Sequence, residues 1–246
     1  MIGQHIARRR AYQIRNYLNG YNRSHPGRNG EYRFLDSYLA EGMTVFDIGA
    51  NIGSYSKRIL DKFPGCQVHC FEPVPQTFHA LEAALGASSS VSLNNMALSS
   101  ESGVATMTVC EELSGSGADS LHHTRVLGSA VSTSAIEVTL RTVDEYVSET
   151  GVERIDLMKI DVEGHELDVL HGAKDTLRNG VAAIQFEYGA SYLAAGSTLH
   201  EVCELLWSED FKIFRLLPYG KIRIREFVSA SGLENYQHSN WVALRG

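Results

Sequence analysis

The sequence lacks several features that would assign it to a specialised class of protein. No stretch approaches about 18 consecutive apolar residues, so no transmembrane helix is expected. The N-terminus carries arginines but no apolar segment of the kind found in secretory signals, which leaves the cytoplasm as the expected location. The four cysteines form no C-x-x-C pair, and a chain of 246 residues does not need disulfides to stabilise its core.

The chain also has fewer basic than acidic residues. The chain has 22 lysines and arginines against 29 aspartates and glutamates, which gives a net charge of −7. Because nucleic-acid-binding domains are usually basic, we expect no nucleic-acid partner. The hydrophobic content of 43% is that of an ordinary globular domain, and the length suits one large α/β domain. No motif defines the oligomeric state, and a homodimer stays open.

The order of apolar and polar segments predicts one main domain over residues 31–246, preceded by an accessory helix and loop over residues 1–30. Short β-branched, apolar runs alternate with helical segments along most of the main domain. Such alternation is typical of βαβ units, which build a parallel sheet covered by helices on both faces. A Ser-, Gly- and Ala-rich stretch over residues 110–135 interrupts the pattern, and long loops of this kind are usually functional or disordered.

The stretch "FDIGANIGSYS" places Asp47, Gly49, Asn51 and Gly53 where the first predicted strand ends. Glycines there let the backbone approach a ligand closely, but the spacing is G-x-x-x-G and not the G-x-G-x-x-G that cradles a pyrophosphate. Glu72 ends the second predicted strand, where a carboxylate can accept hydrogen bonds from both hydroxyls of a ribose. Together these features favour a nucleoside ligand without a pyrophosphate.

Two alternatives fit part of this pattern. A nicotinamide-dependent sugar oxidoreductase or epimerase also combines such a sheet with an acid after the second strand. Short-chain members of that class need a Tyr-x-x-x-Lys pair, and none of the six lysines has a tyrosine four residues before it. The other alternative is a non-catalytic binding module, against which the presence of Asp47, Glu72 and Asp161 weighs.

The stretch "KIDVEGHELDVLHGA" collects titratable groups where a strand is predicted to end and a helix to begin. Strand alternation predicts Asp161 at the carboxyl end, with Glu163 and His165 in the following turn and Glu187 at the end of the next strand. A carboxylate or imidazole there could act as a general base. The acids could also stabilise a helix N-terminus, or Asp161 and Glu187 could hold a divalent cation such as Mg²⁺ or Ca²⁺. The sequence leaves the cation open, although no metal-ligand spacing is present.

These motifs, with "FEPVP", "NMALSS" and "FEYG", occur in an order that resembles the FkbM-family methyltransferases over residues 31–244. The resemblance implies a Rossmann-like class I methyltransferase with a seven-stranded, mostly parallel sheet whose last strand is antiparallel. "NWVAL" would be that inserted strand, and "KIRIREF" would pair with it. The implied activity is transfer of a methyl group from S-adenosyl-L-methionine to a hydroxyl of a sugar, glycan, or glycosylated or polyketide natural product, leaving S-adenosyl-L-homocysteine.

The resemblance also implies roles for individual residues. The implied cofactor-binding residues are Asp47, Gly49, Asn51, Gly53, Glu72, Asn95, Ser116 and Asp161. Among these, Glu72 would hold the ribose and Asn95 would meet the adenine edge. The predicted catalytic residues are Asp161, Glu163, His165 and Glu187. Arg125, Tyr188 and Tyr192 are predicted to contact the acceptor, with the 110–135 segment and the N-terminal helix as the walls on the acceptor side.

Overall fold

The computed structural model describes residues 25–110, 133–227 and 232–246. These ranges leave out several predicted features, namely the N-terminal helix that the sequence predicts over residues 1–19, most of the 110–135 segment, Ser116 and Arg125. None of the helices within the described ranges is long and apolar enough to cross a bilayer.

The described residues contain eleven strands, which form a large sheet and a small one. In chain order they are β1 (Thr44–Ile48), β2 (Gln67–Phe71), β3 (Val91–Asn94), β4 (Ala97–Leu98), β5 (Gly103–Cys110), β6 (Thr133–Arg141), β7 (Leu157–Ile160), β8 (Ala183–Tyr188), β9 (Phe211–Leu217), β10 (Gly220–Ile224) and β11 (Ser239–Arg245). The large sheet has the order β10-β9-β11-β8-β7-β1-β2-β3, and the small one the order β4-β6-β5. Strands β1, β2, β3, β7 and β8 pair in parallel, whereas β11 lies antiparallel between β8 and β9.

Nine helices within the same ranges cover the large sheet. They are α1 (Pro26–Asn29), α2 (Glu31–Tyr38), α3 (Ser54–Lys62), α4 (Pro75–Leu85), α5 (Val143–Thr150), α6 (Glu166–His171), α7 (Lys174–Asn179), α8 (Ser191–Ala195) and α9 (Leu199–Ser208). Because successive strand residues point to opposite faces, Val45 and Leu157 pack towards α2, α3 and α4. Their neighbours Phe46 and Met158 pack towards the layer that contains α5 to α9. Both faces of the sheet are therefore buried at its central strands, as the strand composition predicted.

Two expectations about the sheet need correction. The segment "KIRIREF" does not pair with the inserted strand: β10 forms a hairpin with β9, in which Gly220 lies opposite Leu217. The physical reason is that β11 is already hydrogen-bonded on both sides, to β8 and to β9, so that β10 pairs with the free outer edge of β9. The described sheet consequently has eight strands and not seven, with β10 as an additional edge strand.

The helices differ from the sequence-based expectation in two places. The sequence "ELDVLHGAKDTL" predicts one helix over residues 166–177. The structure divides it into α6 and α7 at Gly172, where an added Cβ would lie 2.0 Å from the carbonyl oxygen of Ser99. Helix α5 was missed, although Thr142 and Glu145 form a capping box that is readable in the sequence. Cys66 and Cys70 flank the second predicted strand, which predicts two buried thiols, and both are buried.

Candidate active site

A cleft of about 420 Å³ opens at the carboxyl ends of β1, β2, β7 and β8. The chain leaves β1 towards β2 on one side, whereas β7 joins from the other side, which makes this the switch point where ligands bind in open α/β sheets. Acidic side chains from four different elements line the cleft, namely Glu31, Glu72, Asp161, Glu163 and Glu187.

The turn after β1 brings the backbone against the turn after β7. Gly49 has a φ of +80°, and a Cβ added there would lie 1.9 Å from the carbonyl oxygen of Asp161. Asn51 also has a left-handed backbone, with a φ of +51°, and lines the cleft with Gly49. Gly53 packs its backbone against Leu81 and does not line the cleft. The glycines are thus required by close packing as well as by the shape of the cleft.

Glu72 is fixed at the end of β2 and lines the cleft. Its carboxylate accepts hydrogen bonds from the backbone N–H groups of Asn51 at 3.0 Å and Val74 at 2.9 Å, and the residue is only 6% exposed. Asn95 lies outside the lining, where its amide donates to the carbonyl oxygens of Glu72 and Pro73. These two hydrogen bonds to backbone oxygens stabilise the turn after β2.

Asp47 lies below the cleft and does not line it. The residue is fully buried; its Oδ2 accepts a hydrogen bond from the Ser56 hydroxyl at 2.6 Å, and its Oδ1 lies 3.5 Å from the ammonium of Lys159. Lys159 also donates to Asp161 Oδ2 at 3.1 Å. Burial by itself would lower the pKa of Lys159, but Asp161, Asp47 and Glu31 together raise it, so that this lysine stays charged.

Three of the carboxylates form a tight group on the cleft wall. Oxygens of Asp161, Glu163 and Glu187 all lie within 4.8 Å of one another. Burial, together with the charges of Asp161 and Glu187, raises the pKa of Glu163 to about 9, and burial also raises the pKa of Glu187. Glu163 is therefore protonated near neutral pH. Such a group suits a ligand that brings positive charge.

Glu187 is paired with His238, whose Nδ1 lies 2.9 Å from Glu187 Oε1. His238 precedes β11 and lines the same cleft. Sequence reasoning did not select this histidine as a catalytic residue, because no local pattern links it to Glu187. The contact arises from the insertion of β11 beside β8.

His165 lines the cleft, but its ring is held at both nitrogens. Nε2 lies 2.9 Å from the Ser99 hydroxyl, and Nδ1 lies 3.1 Å from Asp168 Oδ2. Glu166 follows it and accepts a hydrogen bond from the backbone N–H of Val162 at 3.1 Å. These contacts favour a positioning role for His165 in the turn that carries Asp161 and Glu163.

The expectation that Tyr188 and Tyr192 contact an acceptor is wrong. Both side chains are fully buried. The Tyr188 hydroxyl donates to Glu234 at 2.7 Å, and the Tyr192 hydroxyl donates to the backbone carbonyl of Glu187 at 3.1 Å. Tyr188 faces the core because side chains on β8 alternate, so that the residue after Glu187 points away from the cleft. Tyr192 lies on α8, where its ring packs edge-on against the ring of Tyr188 at 4.9 Å.

The strand order, with an antiparallel strand inserted next to β8 and a cleft at the switch point, is that of the Rossmann-like class I methyltransferase fold. A family model described as "Methyltransferase FkbM domain" matches residues 47–213. The chain belongs to the FkbM methyltransferase family. The family confirms the resemblance found in the sequence, and the nicotinamide-dependent and non-catalytic alternatives are not retained.

Several characterised proteins are similar to this chain. It is 31% identical over 185 residues to the 2-O-methyltransferase NoeI of Sinorhizobium fredii, covering 72% of this chain and 75% of NoeI. It is 32% identical over 202 residues to the 31-O-demethyl-FK506 methyltransferase FkbM of Streptomyces tacrolimicus, covering 71% and 75%. It is also 30% identical over 199 residues to the hexuronic acid methyltransferase AglP of Haloferax volcanii, covering 77% of each.

The fold has a counterpart among crystal structures. The methyltransferase FkbM of Methylobacillus flagellatus superimposes with a TM-score of 0.51 at 13% identity, covering 83% of this chain and 44% of that chain. At this identity, the likeness supports the fold alone.

Proposed function

We propose that this protein transfers the methyl group of S-adenosyl-L-methionine to a hydroxyl of a sugar, a glycan, or a glycosylated or polyketide natural product. The observation that carries the proposal is the Glu187–His238 pair, which shares one cleft with Glu72 and Asp161. The names of two relatives, a 2-O- and a 31-O-demethyl methyltransferase, indicate an oxygen as the methyl acceptor. A third relative is named for a hexuronic acid, which supports a sugar acceptor.

The residues at the cleft fit the methyl donor. Glu72 would accept hydrogen bonds from the two ribose hydroxyls, because its oxygens are already oriented by two backbone amides. The apolar side chains of Phe71, Met96 and Leu98 line the cleft nearby and would pack against the adenine. When bound, S-adenosyl-L-methionine supplies an electrophilic methyl group on a sulfonium.

The chain's own task in this reaction is to remove the proton from the acceptor hydroxyl. Glu187 would orient the imidazole of His238 through Nδ1, so that the ring can receive the proton and Glu187 can stabilise the resulting imidazolium. Asp161, held by Lys159, would orient the hydroxyl. Glu163, which is protonated at neutral pH, would donate a hydrogen bond and so not compete as a base.

A divalent cation bound by Asp161, Glu163 and Glu187 is the alternative way to activate the hydroxyl, because it would lower the pKa of a bound alcohol. We favour the route without a metal. Lys159 already neutralises Asp161, and Glu163 is protonated near neutral pH, so that of these three ligands only Glu187 would offer a divalent ion an uncompensated negative charge.

The test is to incubate the protein with radiolabelled S-adenosyl-L-methionine and a panel of methyl glycosides, methyl uronides and hydroxylated natural products, with and without EDTA. We expect EDTA-insensitive labelling of an acceptor oxygen. His238→Asn should lower kcat by about 10²–10⁴-fold and leave binding of S-adenosyl-L-homocysteine intact. Asp175→Asn, at an exposed acid away from the cleft, is the control and should have no effect.

Different outcomes would contradict different parts of the proposal. Labelling that disappears in EDTA would favour the divalent cation over the Glu187–His238 pair. An unchanged kcat in His238→Asn would show that this histidine does not take the proton. Label found on nitrogen or carbon atoms of an acceptor would refute O-methylation.

A further inference from the structure

A buried carboxylate that precedes the family match lies on the wall of the cleft. Glu31 belongs to α2, whereas the match begins at residue 47. The residue is only 6% exposed, yet it lines the same cleft as Asp161 and Glu187. The proposed methyl transfer assigns it no task. A charged side chain in such a position is costly to bury unless it is well solvated by the protein or binds a ligand.

The protein holds this carboxylate in one orientation through neutral donors. The amide of Asn29 donates to Glu31 Oε1, and the amide of Gln185 donates to Oε2 at 3.0 Å. The Tyr55 hydroxyl donates to the side-chain amide oxygen Oε1 of Gln185 at 3.0 Å, which fixes the side-chain amide with its N–H groups towards Glu31. Neutral donors orient a carboxylate, but they do not cancel its charge.

The charges around Glu31 leave negative charge in excess. Among the residues that the structure describes, Lys159 on β7 is the cation that acts on Glu31, but it is already in contact with Asp47 and Asp161. Burial raises the pKa of Glu31 to about 7; Lys159 lowers this pKa, and the charges of Asp161 and of Glu187 on β8 raise it. One ammonium thus faces several carboxylates. A cationic ligand at this end of the cleft would neutralise the excess negative charge.

The methyl donor carries two positive centres, a sulfonium and an α-ammonium, and the ammonium is the one with N–H groups to donate. Its ribose and its methionine chain extend from opposite sides of the sulfur. With the ribose at Glu72 after β2, the methionine chain would extend across β1 towards β7 and β8, the side on which Glu31 contacts Gln185. We propose that Glu31 binds the α-ammonium of S-adenosyl-L-methionine. This inference rests on the proposed function, because it requires the same methyl donor.

Two ligands separate this role from a general structural one. S-adenosyl-L-homocysteine contains the amino acid, whereas 5′-methylthioadenosine keeps the adenosine and the thioether but lacks it. By isothermal titration calorimetry, Glu31→Gln should weaken S-adenosyl-L-homocysteine by about 10–100-fold, the value of one charged hydrogen bond. The affinity for 5′-methylthioadenosine should change by less than about twofold, since that ligand has no ammonium. Glu153→Gln, an exposed change of the same charge, should affect neither ligand.

The pH dependence gives a second measurement. Because Glu31 ionises near neutral pH, the affinity of the unmodified protein for S-adenosyl-L-homocysteine should rise from pH 6 to pH 8, and Glu31→Gln should flatten this rise. If Glu31→Gln does not fold, as checked by circular dichroism, Glu31→Asp is the variant to test, because it keeps the charge but places it one methylene further from the ligand. It should then weaken S-adenosyl-L-homocysteine and not 5′-methylthioadenosine.

The outcomes distinguish this inference from the proposed function. If a Glu31 variant weakens both ligands equally, or neither, Glu31 does not bind the ammonium, while the methyltransferase proposal stands. If the unmodified protein binds neither ligand, the proposed function and this inference both fail.

Discussion

Replacing Lys159 by methionine tests the buried charge network below the cleft. The Lys159 side chain is 8% exposed, and its ammonium lies 3.1 Å from Asp161 and 3.5 Å from the fully buried Asp47. Without this ammonium, Asp47 would keep the hydrogen bond from the Ser56 hydroxyl but would lose its counter-ion. Removing one partner of a buried ion pair costs about 3–5 kcal/mol. Methionine keeps much of the side-chain volume, so the loss of charge should dominate.

The assay is urea unfolding at pH 7, followed by circular dichroism, of the unmodified protein and of Lys159→Met. We expect the free energy of unfolding to fall by about 3–5 kcal/mol. The matched control is Lys57→Met. Lys57 lies 3.1 Å from Asp61, but both side chains are more than 60% exposed (61% and 62%), so the loss should stay below about 1 kcal/mol. The two lysines differ mainly in burial.

A double-mutant cycle isolates the interaction between Lys159 and Asp47. Asp47→Asn combined with Lys159→Met should cost less than the sum of the two single changes, since a neutral amide needs no counter-ion. The reasoning would be refuted if Lys159→Met cost no more than Lys57→Met, or if the two changes were simply additive.

Three further predictions concern the cleft. Gly49→Ala should lower the free energy of unfolding by about 2–5 kcal/mol, because the left-handed backbone is strained for alanine and the new Cβ would collide with the Asp161 carbonyl. Gly196→Ala is the control and should cost only about 1 kcal/mol, because open space surrounds that left-handed glycine. Similar losses of the two variants in urea unfolding would contradict this reasoning. Glu72→Gln should weaken S-adenosyl-L-homocysteine by about 10–100-fold in calorimetry, and unchanged affinity would remove the ribose assignment. The pKa of Glu163 is about 9 in the folded protein and ordinarily 4.5, so the folded state holds more protons, and the melting temperature should fall as pH rises from 5 to 9. Glu163→Gln should reduce this fall. An equal dependence of the melting temperature on pH in both proteins would contradict the raised pKa.

Some expectations stay predictions. These are the division into residues 1–30 and 31–246, the cytoplasmic location, the absence of a nucleic-acid partner, the homodimer, and the roles assigned to the individual site residues.

The sequence by itself determined the strands and turns whose signals are local. The apolar runs over residues 44–48, 67–71 and 211–217 predict strands, and β1, β2 and β9 lie there, because such runs are read over a few consecutive residues. The sequence also placed Gly49 and Glu72 after β1 and β2, where both line the cleft, since a glycine or an acid at the end of a strand is a short local pattern. Family resemblance rested on these same local motifs.

Only the tertiary structure decided which side chains meet. Glu31 reaches Gln185 across 154 residues of sequence, and His238 reaches Glu187 because β11 inserts between β8 and β9. The structure also shows that Asp47 is buried below the cleft and that the Tyr188 side chain points into the core. Contacts between distant segments depend on strand order and on the direction of each side chain. A single sequence encodes these through the packing of the whole domain, and no short pattern reports them.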